Sequence, residues 1–384
     1  MRLDDNKYVG LAKRIAKWKS INFLEQWLGE KADFSEFCKS IYVWYYKMID
    51  YKYYKCGKKK IETLLQDSKK YRDIPKNCLI KDMVYSLHRF GASYEDYLLY
   101  DFASKNAYGR ASFISDKLRH YYSELCNGVE VSHLMNDKYA TYQVYMEFYK
   151  RSCIGIYSEK DKEKFEEFIK RSKKIVIKPM SSNCGHGVEV VNIDKIKVDQ
   201  FFLEQIQKGA FICEEIVKPS NELALLNFSS INTLRVVTFV LRGEVYILAA
   251  CLRMGRAGKF VDNAGAGGIF ANVDVKDGIV STGGRSYNGD YYNFHPDSGV
   301  QIVGFKIPDY DKVISMVHSI AKYRQDTILI AWDLAHTDEG WIMIEGNAVG
   351  SWDIFQVHNA TGYKKDLFCL MDSYFDQNSY GNKK

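Results

Sequence analysis

Two stretches of this chain hold residues that could act together on a phosphate. The first is IVIKPMSSNCGHGVEVV, residues 175–191. A β-branched run ends on Lys178. A loop containing Ser181, Ser182, Asn183, Gly185, His186 and Gly187 then leads into a second β-branched run. A lysine offers a mobile ammonium. The loop offers hydroxyls and, because its glycines allow close approach, backbone amides. The order differs from that of a P-loop, in which the lysine follows the glycines and precedes a helix. By itself the stretch reads equally well as a plain hairpin.

The second stretch is TILIAWDLAHTDEGWIMIEGNAVG, residues 327–350, a hairpin expected to turn near 338–340. Asp333 sits towards the end of one strand, and Glu345 and Asn347 sit on the next. Residues i and i+2 of a strand share a face, so Glu345 and Asn347 project together and pairing brings Asp333 alongside. Three oxygen donors of this kind suit magnesium, which accepts one or two carboxylates, and do not suit zinc. An ordinary hairpin with outward polar residues is the plain alternative.

The elements that must position these residues can be read by periodicity. Residues 8–125 are expected to be mainly helical, since apolar residues recur at three- and four-residue spacing in LAKRIAKWKSINFLEQWL and DMVYSLHRFGASYEDYLLY. From about 130 the texture changes. KDKEKFEEFIKRSKK (160–174) predicts a charged helix leading into the strand at 175. GAFICEEIV (209–217) predicts another strand. TLRVVTFVL (233–241) and EVYILAACLRMG (244–255) predict a hairpin around Arg242 and Gly243. A glycine-dense segment covers 256–278, and a further helix is expected over 308–325.

Composition sets outer limits. The chain has 384 residues, 46% hydrophobic and 27% charged, as expected of a globular protein of two or three domains. No apolar run approaches the ~20 residues of a spanning helix, and MRLDDNKYVG carries no signal core. A cytoplasmic location follows as an expectation. The nine cysteines are scattered without a CxxC pair, which favours reduced thiols over a disulfide framework or zinc site. The net charge of +6 is uneven. Residues 1–75 hold 17 Lys+Arg against 10 Asp+Glu, and the rest hold 37 against 38. The basic part includes IYVWYYKMIDYKYYKCGKKK (41–60). Its alternation fits a helix with a buried aromatic stripe and a solvated lysine face. It also fits contact with an anionic glycan or the inner face of a membrane. No nucleic-acid reader motif accompanies it, so no nucleic-acid partner is expected.

Taken together, the lysine with its loop and the later Asp…Glu-x-Asn hairpin resemble the ATP-grasp superfamily. The likeness spans about residues 130–360. The resemblance implies an α+β fold in which two subdomains sandwich ATP. Lys178 and the 181–187 loop would cover the phosphates, and Asp333, Glu345 and Asn347 would hold one or two Mg2+ ions. Asn136-Asp137-Lys138 resembles the start of the family's ATP-binding region, which makes Lys138 a second phosphate contact. Glu214, Glu215, Ile216 and Val217 resemble the strand along the adenine edge, and Glu222 falls where an acid often binds the ribose. Arg235 and Arg253 would address the γ-phosphate and the intermediate. D-alanine–D-alanine ligases carry an arginine two residues before the metal aspartate, and this chain has Ala331 there.

Within the superfamily, SINTLRVVT (230–238), ACLRMG (250–255), VDNAGAGG (261–268), HPDSG (295–299) and AWDLAHTDEGWIMIEGN (331–347) resemble the sugar-transfer-associated branch, near teichuronopeptide-type ligases. That resemblance implies a lid subdomain over 130–218 and a metal and acceptor subdomain over 219–370, while composition gives a mainly helical, basic and aromatic domain over 1–129 and a polar tail over 371–384. The resemblance also implies a carboxylate–amine ligase acting through an acyl phosphate, with a small-molecule amine or amino acid as one substrate. The other would be a sugar or glycan bearing a carboxylate or amine, in a capsule or cell-surface pathway. Segment 256–299 would line the acceptor pocket, with Asn263, Gly267 and Gly268 against the substrate and Asp262 or His295 as base. A kinase acting on a sugar hydroxyl and a non-catalytic nucleotide-binding regulator are the alternatives.

Overall fold

The computed structural model describes residues 23–66, 69–180, 187–359 and 361–381. The chain divides into two compact units. One ends at Leu125 and takes up the chain again from Ser351; the other is Cys126–Gly350.

The first unit is helical. It contains α1 (Phe23–Ala32), α2 (Glu36–Ile49), α3 (Tyr51–Gln66), α4 (Lys76–Phe90) and α5 (Tyr94–Leu99). Helix α4 shows why these segments fold: Leu79, Ile80, Met83, Val84, Leu87 and Phe90 recur on one face and are buried. Gly91 then stops the helix in the left-handed conformation, with φ +67°. Much of the aromatic content becomes core here, with Tyr42, Tyr85, Tyr97, Phe102 and Phe113 all buried. Two half-buried aspartates have arginine partners. Asp33 accepts a forked pair from Arg89 at 2.9 and 2.8 Å. Asp82 accepts another from Arg110 at 2.9 and 2.7 Å.

The second unit carries two antiparallel sheets. The smaller has four strands in the order β1-β4-β2-β3: β1 (Cys153–Ile156), β2 (Lys174–Pro179), β3 (Glu189–Asn192) and β4 (Phe211–Glu215). The larger has seven strands in the order β11-β10-β5-β6-β7-β8-β9. These are β5 (Thr233–Leu241), β6 (Glu244–Met254), β7 (Ile269–Val273), β8 (Gly284–Arg285), β9 (Tyr291–Tyr292), β10 (Leu329–Thr337) and β11 (Gly340–Asn347). Both expected hairpins form. β5 and β6 pair from Leu241↔Glu244, so the turn is Arg242-Gly243, with φ +55° and +76°. Two positive φ values give the tight loop whose twist matches the flanking strands. β10 and β11 pair from Thr337↔Gly340.

The helix α6 (Asp116–Asn136, broken at Gly128) enters the second unit from Cys126 and adds Val131 and Met135 to its core, and α7 (Lys138–Tyr149), α8 (Lys162–Ile169), α9 (Val198–Lys208) and α10 (Tyr310–Lys322) back these sheets. In α10 the buried Val313, Val317, Ile320 and Ala321 form one stripe. They share a core with Tyr145, Trp332 and Leu334. Trp332 and Leu334 therefore face the helices, and strand alternation turns Asp333 to the opposite face. The helix expected over 160–174 is shorter because a 3-10 turn at Glu159–Asp161 precedes it and the strand begins at Lys174. The strand expected over 209–217 ends at Glu215. Among the described residues no helix is long and apolar enough to cross a membrane.

Candidate active site

The larger sheet places its charged residues by register. Asp333 on β10 pairs with Glu345 on one side and with Arg235 of β5 on the other. Directly opposed residues of an antiparallel pair share a face, so the three side chains project together. Arg235 grips Asp333 through Nε–Oδ1 at 2.6 Å and Nη2–Oδ2 at 2.7 Å. Arg253 adds Nη1–Oδ2 at 2.7 Å and donates from Nη2 to Asp262 Oδ1 at 2.9 Å. Asp262 Oδ2 accepts the Thr233 amide at 2.8 Å and also the Thr233 hydroxyl. All four charged groups are buried. Burial raises the pKa of Asp333, but Arg235 and Arg253 outweigh it and hold the carboxyl below its ordinary value. Asp262 has one arginine to offset its burial, and its pKa is raised. Arg235 of β5 and Arg253 of β6 thus supply the arginine charge beside Asp333.

A second cluster lies on the smaller sheet. Lys178 donates to both oxygens of Glu214 at 2.9 Å. Arg151 donates to the same Glu214 Oε2 from Nε at 3.2 Å and from Nη2 at 2.9 Å. Burial pushes Glu214 up, yet the two cations bring its pKa down to about 2. Arg151 also donates from Nη1 to the carbonyl of Met343 on β11 at 2.6 Å. Lys138 joins the sheets a second way. Its amide donates to Met180 O at 3.3 Å, just beyond Lys178, and its Nζ lies 3.4 Å from Glu345 Oε1. The N-cap Asp137, which accepts the amides of Tyr139 and Ala140, fixes Lys138 as the first residue of α7. Lys138, Lys178, Glu214, Glu345, Arg235, Arg253 and Asp333 therefore belong to one connected region, although they come from seven elements.

The fit to a magnesium ion rests on the donor set. Asp333, Glu345 and Asn347 are hard oxygen donors on one sheet face, with Ala331↔Asn347 two positions along from Asp333↔Glu345. Asn347 Nδ2 is buried without a hydrogen-bond partner. A half-turn of that amide puts its oxygen in the same place, where a cation would satisfy it. Glu345 is one-third exposed. Asp333 would exchange an arginine for the ion. The residues fit, with Glu345 and Asn347 the more open ligands.

Other predicted residues lie elsewhere. Glu215 accepts the Ser152 amide at 2.8 Å. Ile216 and Val217 fall just past the end of β4, outside the strand pairing. Glu222 is exposed on the short helix Asn221–Ala224. It lines a cavity of about 740 Å³ with Ser220, Asp309, Lys312 and His336. His336 shares the Trp332 and Leu334 face of β10, so this cavity lies behind the sheet, away from Asp333. His295 is fully buried. Its Nε2 meets Gly255 O at 2.9 Å, and its Nδ1 accepts the amides of Asp297 and Ser298 at 3.3 and 3.4 Å. Burial lowers its pKa, and the ring ties loop segments together. Asn263 caps the turn that follows through the Gly265 amide at 2.8 Å. Gly267 has φ +95°, and a Cβ on Gly268 would come within 2.2 Å of Asp262 O. The 262–268 turn therefore needs its glycines to hold Asp262 in place. Ser181, Ser182, Asn183, Gly185 and His186 lie outside the described residues; Gly187 is described, with φ +74°. Sequence reasoning missed Arg151 and Thr233. Arg151 lies 63 residues from Glu214, and no local spacing signals the pair.

A family model described as sugar-transfer associated ATP-grasp matches residues 117–369. The chain belongs to this ATP-grasp family. Solved structures with a likeness to it include the L-amino acid ligase from Bacillus licheniformis, 11% identical, with TM-score 0.35, covering 56% of this chain and 41% of that one. The D-alanine–D-alanine ligase from Bacillus anthracis complexed with ATP is 14% identical, with TM-score 0.40, covering 65% of this chain and 68% of that one. ATP-grasp ligase PsnB, complexed with minimal precursor, Mg and ADP, is 11% identical, with TM-score 0.38, covering 69% of this chain and 68% of that one. The present chain thus spans less than half the length of the first of these. No curated protein matches it. Family membership accounts for the mixed helix-and-sheet architecture and for the ATP-grasp fold expected from the sequence.

Proposed function

We propose that this chain is an ATP- and magnesium-dependent carboxylate–amine ligase that works through an acyl phosphate. Its product would be an amide joining an amino acid or small amine to a sugar unit of a bacterial capsule or cell-surface glycan. The observation that carries the reading is the double attachment of Lys138, with its amide on Met180 beside the lysine strand and its ammonium beside Glu345. It brings the cations and the oxygen donors of two distant sequence stretches to one place.

The residues give each step a physical basis. A carboxylate substrate and a triphosphate repel, so positive charge must be concentrated between them before reaction. Lys138, Lys178, Arg235 and Arg253 are that charge. They are held by Glu345, Glu214 and Asp333, and phosphate oxygens would take over part of that role. Magnesium, held by Glu345, Asn347 and Asp333, would supply Lewis-acid neutralisation of the phosphates. Arg235 and Arg253 are each oriented by two bonds, and the one that Asp333 exchanges for the ion would turn to the developing charge. Ile216 and Val217, past the strand pairing of β4, present backbone groups to the adenine edge. Asp262 and His295 remain the two candidate bases, and each would have to release a present partner to take a proton, since both oxygens of Asp262 and both ring nitrogens of His295 are engaged.

The test is ATP turnover with magnesium against panels of uronic acids, amino acids and amines, singly and in pairs. Phosphate and ADP released only when a carboxylate and an amine are both present would support the ligase. ADP without free phosphate, alongside a phosphorylated sugar, would replace it with a kinase. Lys178→Ala is expected to weaken ATP binding on the order of 10- to 100-fold, through loss of a charge-assisted hydrogen bond.

A further inference from the structure

The aromatic and lysine-rich segment at 41–60 divides in an unexpected way. Tyr42 and Val43 enter the core of the first unit, and Gly57 and Ile61 enter it from α3. Ile41, Tyr46 and Tyr54 pack half-buried against that core, while Trp44, Met48, Ile49, Tyr51 and Tyr53 stay outside. Along α2, Phe37, Trp44 and Met48 are exposed at spacings of seven and four, which places them on one face, and Tyr51 is exposed at the start of α3. Phe37 is 75% exposed, and Met48, Ile49 and Tyr51 are each 60% or more. Every residue of the corner 47–53 is exposed, so Lys47, Met48, Ile49, Tyr51, Lys52 and Tyr53 form one solvent-facing edge. The lysines then continue along α3. Lys52, Lys55 and Lys59 are exposed at helical spacing, and none forms an ion pair among the described residues. The neighbouring acids are already engaged: Glu36 with Lys39 and Lys81, Glu62 with Lys58, and Asp50 with the Tyr53 amide.

We infer that the α2–α3 corner is a docking surface for an anionic lipid bilayer. An apolar stripe this exposed is unusual for a surface that meets only water. Lysines flanking aromatic and aliphatic side chains are the pattern of a surface seated at the headgroup boundary, with the apolar groups in the acyl region and the ammoniums against phosphate. The aliphatic members decide between partners. An anionic polymer in water would engage lysines and aromatic rings but would offer no apolar phase to Met48 and Ile49. A second copy of the same face would oppose lysine to lysine. A bilayer with acidic headgroups accommodates both sets of side chains. The inference concerns the first unit alone and stands whether or not the ligase reading holds.

The experiment uses the full chain. Sedimentation with phosphatidylcholine vesicles containing one-third phosphatidylglycerol is compared with sedimentation with phosphatidylcholine alone. Binding to the acidic vesicles, weakened by salt, is expected. The triple variant Lys52→Gln/Lys55→Gln/Lys59→Gln is expected to bind them roughly 100-fold more weakly, from the contribution of each surface lysine. Trp44→Ala/Met48→Ser tests the apolar part and should lower binding with the lysines intact. Unchanged circular dichroism and melting of both variants would show that the fold is kept. Equal partition onto neutral and acidic vesicles, full binding by the lysine variant, or binding to soluble heparin with none to acidic vesicles would each overturn the inference. So would a concentration-dependent dimer that buries Trp44 in the absence of lipid.

Discussion

The larger sheet of the second unit and the α2–α3 corner of the first both concentrate charge, and they handle it in opposite ways. Around Asp333 four ionised groups are buried and answered by one another, in the chain Arg235–Asp333–Arg253–Asp262. Around Lys52 the ammoniums stand in water, beside aromatic and aliphatic side chains that are exposed as well. Burying a charge is costly unless it is paired and hydrogen-bonded. The buried set must therefore be complete to exist at all. The exposed set costs the fold nothing and can be kept open for a partner. The contrast separates groups preorganised for chemistry from groups reserved for contact.

The sharpest way to break this comparison is Asp333→Ala. It would leave Arg235 and Arg253 buried without their shared carboxylate, and is expected to destabilise the chain by about 3–5 kcal/mol and abolish ATP turnover. Urea unfolding together with the turnover assay checks both. A loss of turnover with stability unchanged would mean that Asp333 holds only the reaction and not the fold.

Glu214 sharpens the same side through pH. Its pKa in the folded chain is about 2, against an ordinary 4.5. The fold favours the ionised form, so this stabilisation is whole above about pH 4.5 and disappears as the pH falls towards 2. Glu214→Gln is expected to cost roughly 3 kcal/mol at pH 7, and the gap from the unaltered chain should close between pH 4.5 and 2. Asp262, whose pKa is raised, contributes with the opposite sign. Melting curves across that range for both Glu214→Gln and Asp262→Asn would separate the two.

Gly268→Ala tests the turn that places Asp262. The added carbon meets a backbone carbonyl, which cannot rotate away, and a loss of about 1–3 kcal/mol is expected. At the exposed corner, the triple lysine-to-glutamine variant is expected to change stability by less than about 0.5 kcal/mol. A large loss there would show that those lysines serve the fold, and the contrast between the two regions would fall.

How legible this was depends on sequence distance. The β5–β6 and β10–β11 hairpins could be read because alternation and a two-residue turn are local. The face shared by Glu345 and Asn347 followed from a spacing of two. The strand at 209–217 was read too long because Ile216 and Val217 are β-branched, yet the chain leaves the sheet after Glu215 before reaching Pro219. The single helix with a buried aromatic stripe expected at 41–60 is instead two helices that meet at Asp50, and Tyr42 is the one aromatic of that segment that is buried while Trp44 and Met48 stay outside. Composition records how apolar a segment is and not which face finds a partner.

The sequence alone determined the types of group available for the site: the lysines at 138 and 178, the Asp…Glu-x-Asn set, and the glycines of 262–268. Those choices are local, because a donor, a turn or a strand alternation needs only its neighbours. Only the tertiary structure decided which charge answers which. Arg151 and Glu214 are 63 residues apart, and Arg235 and Asp333 are 98 apart. Such pairings are selected when sheets assemble and water leaves, since a charge without a partner is tolerated in an unfolded chain and not in a buried one.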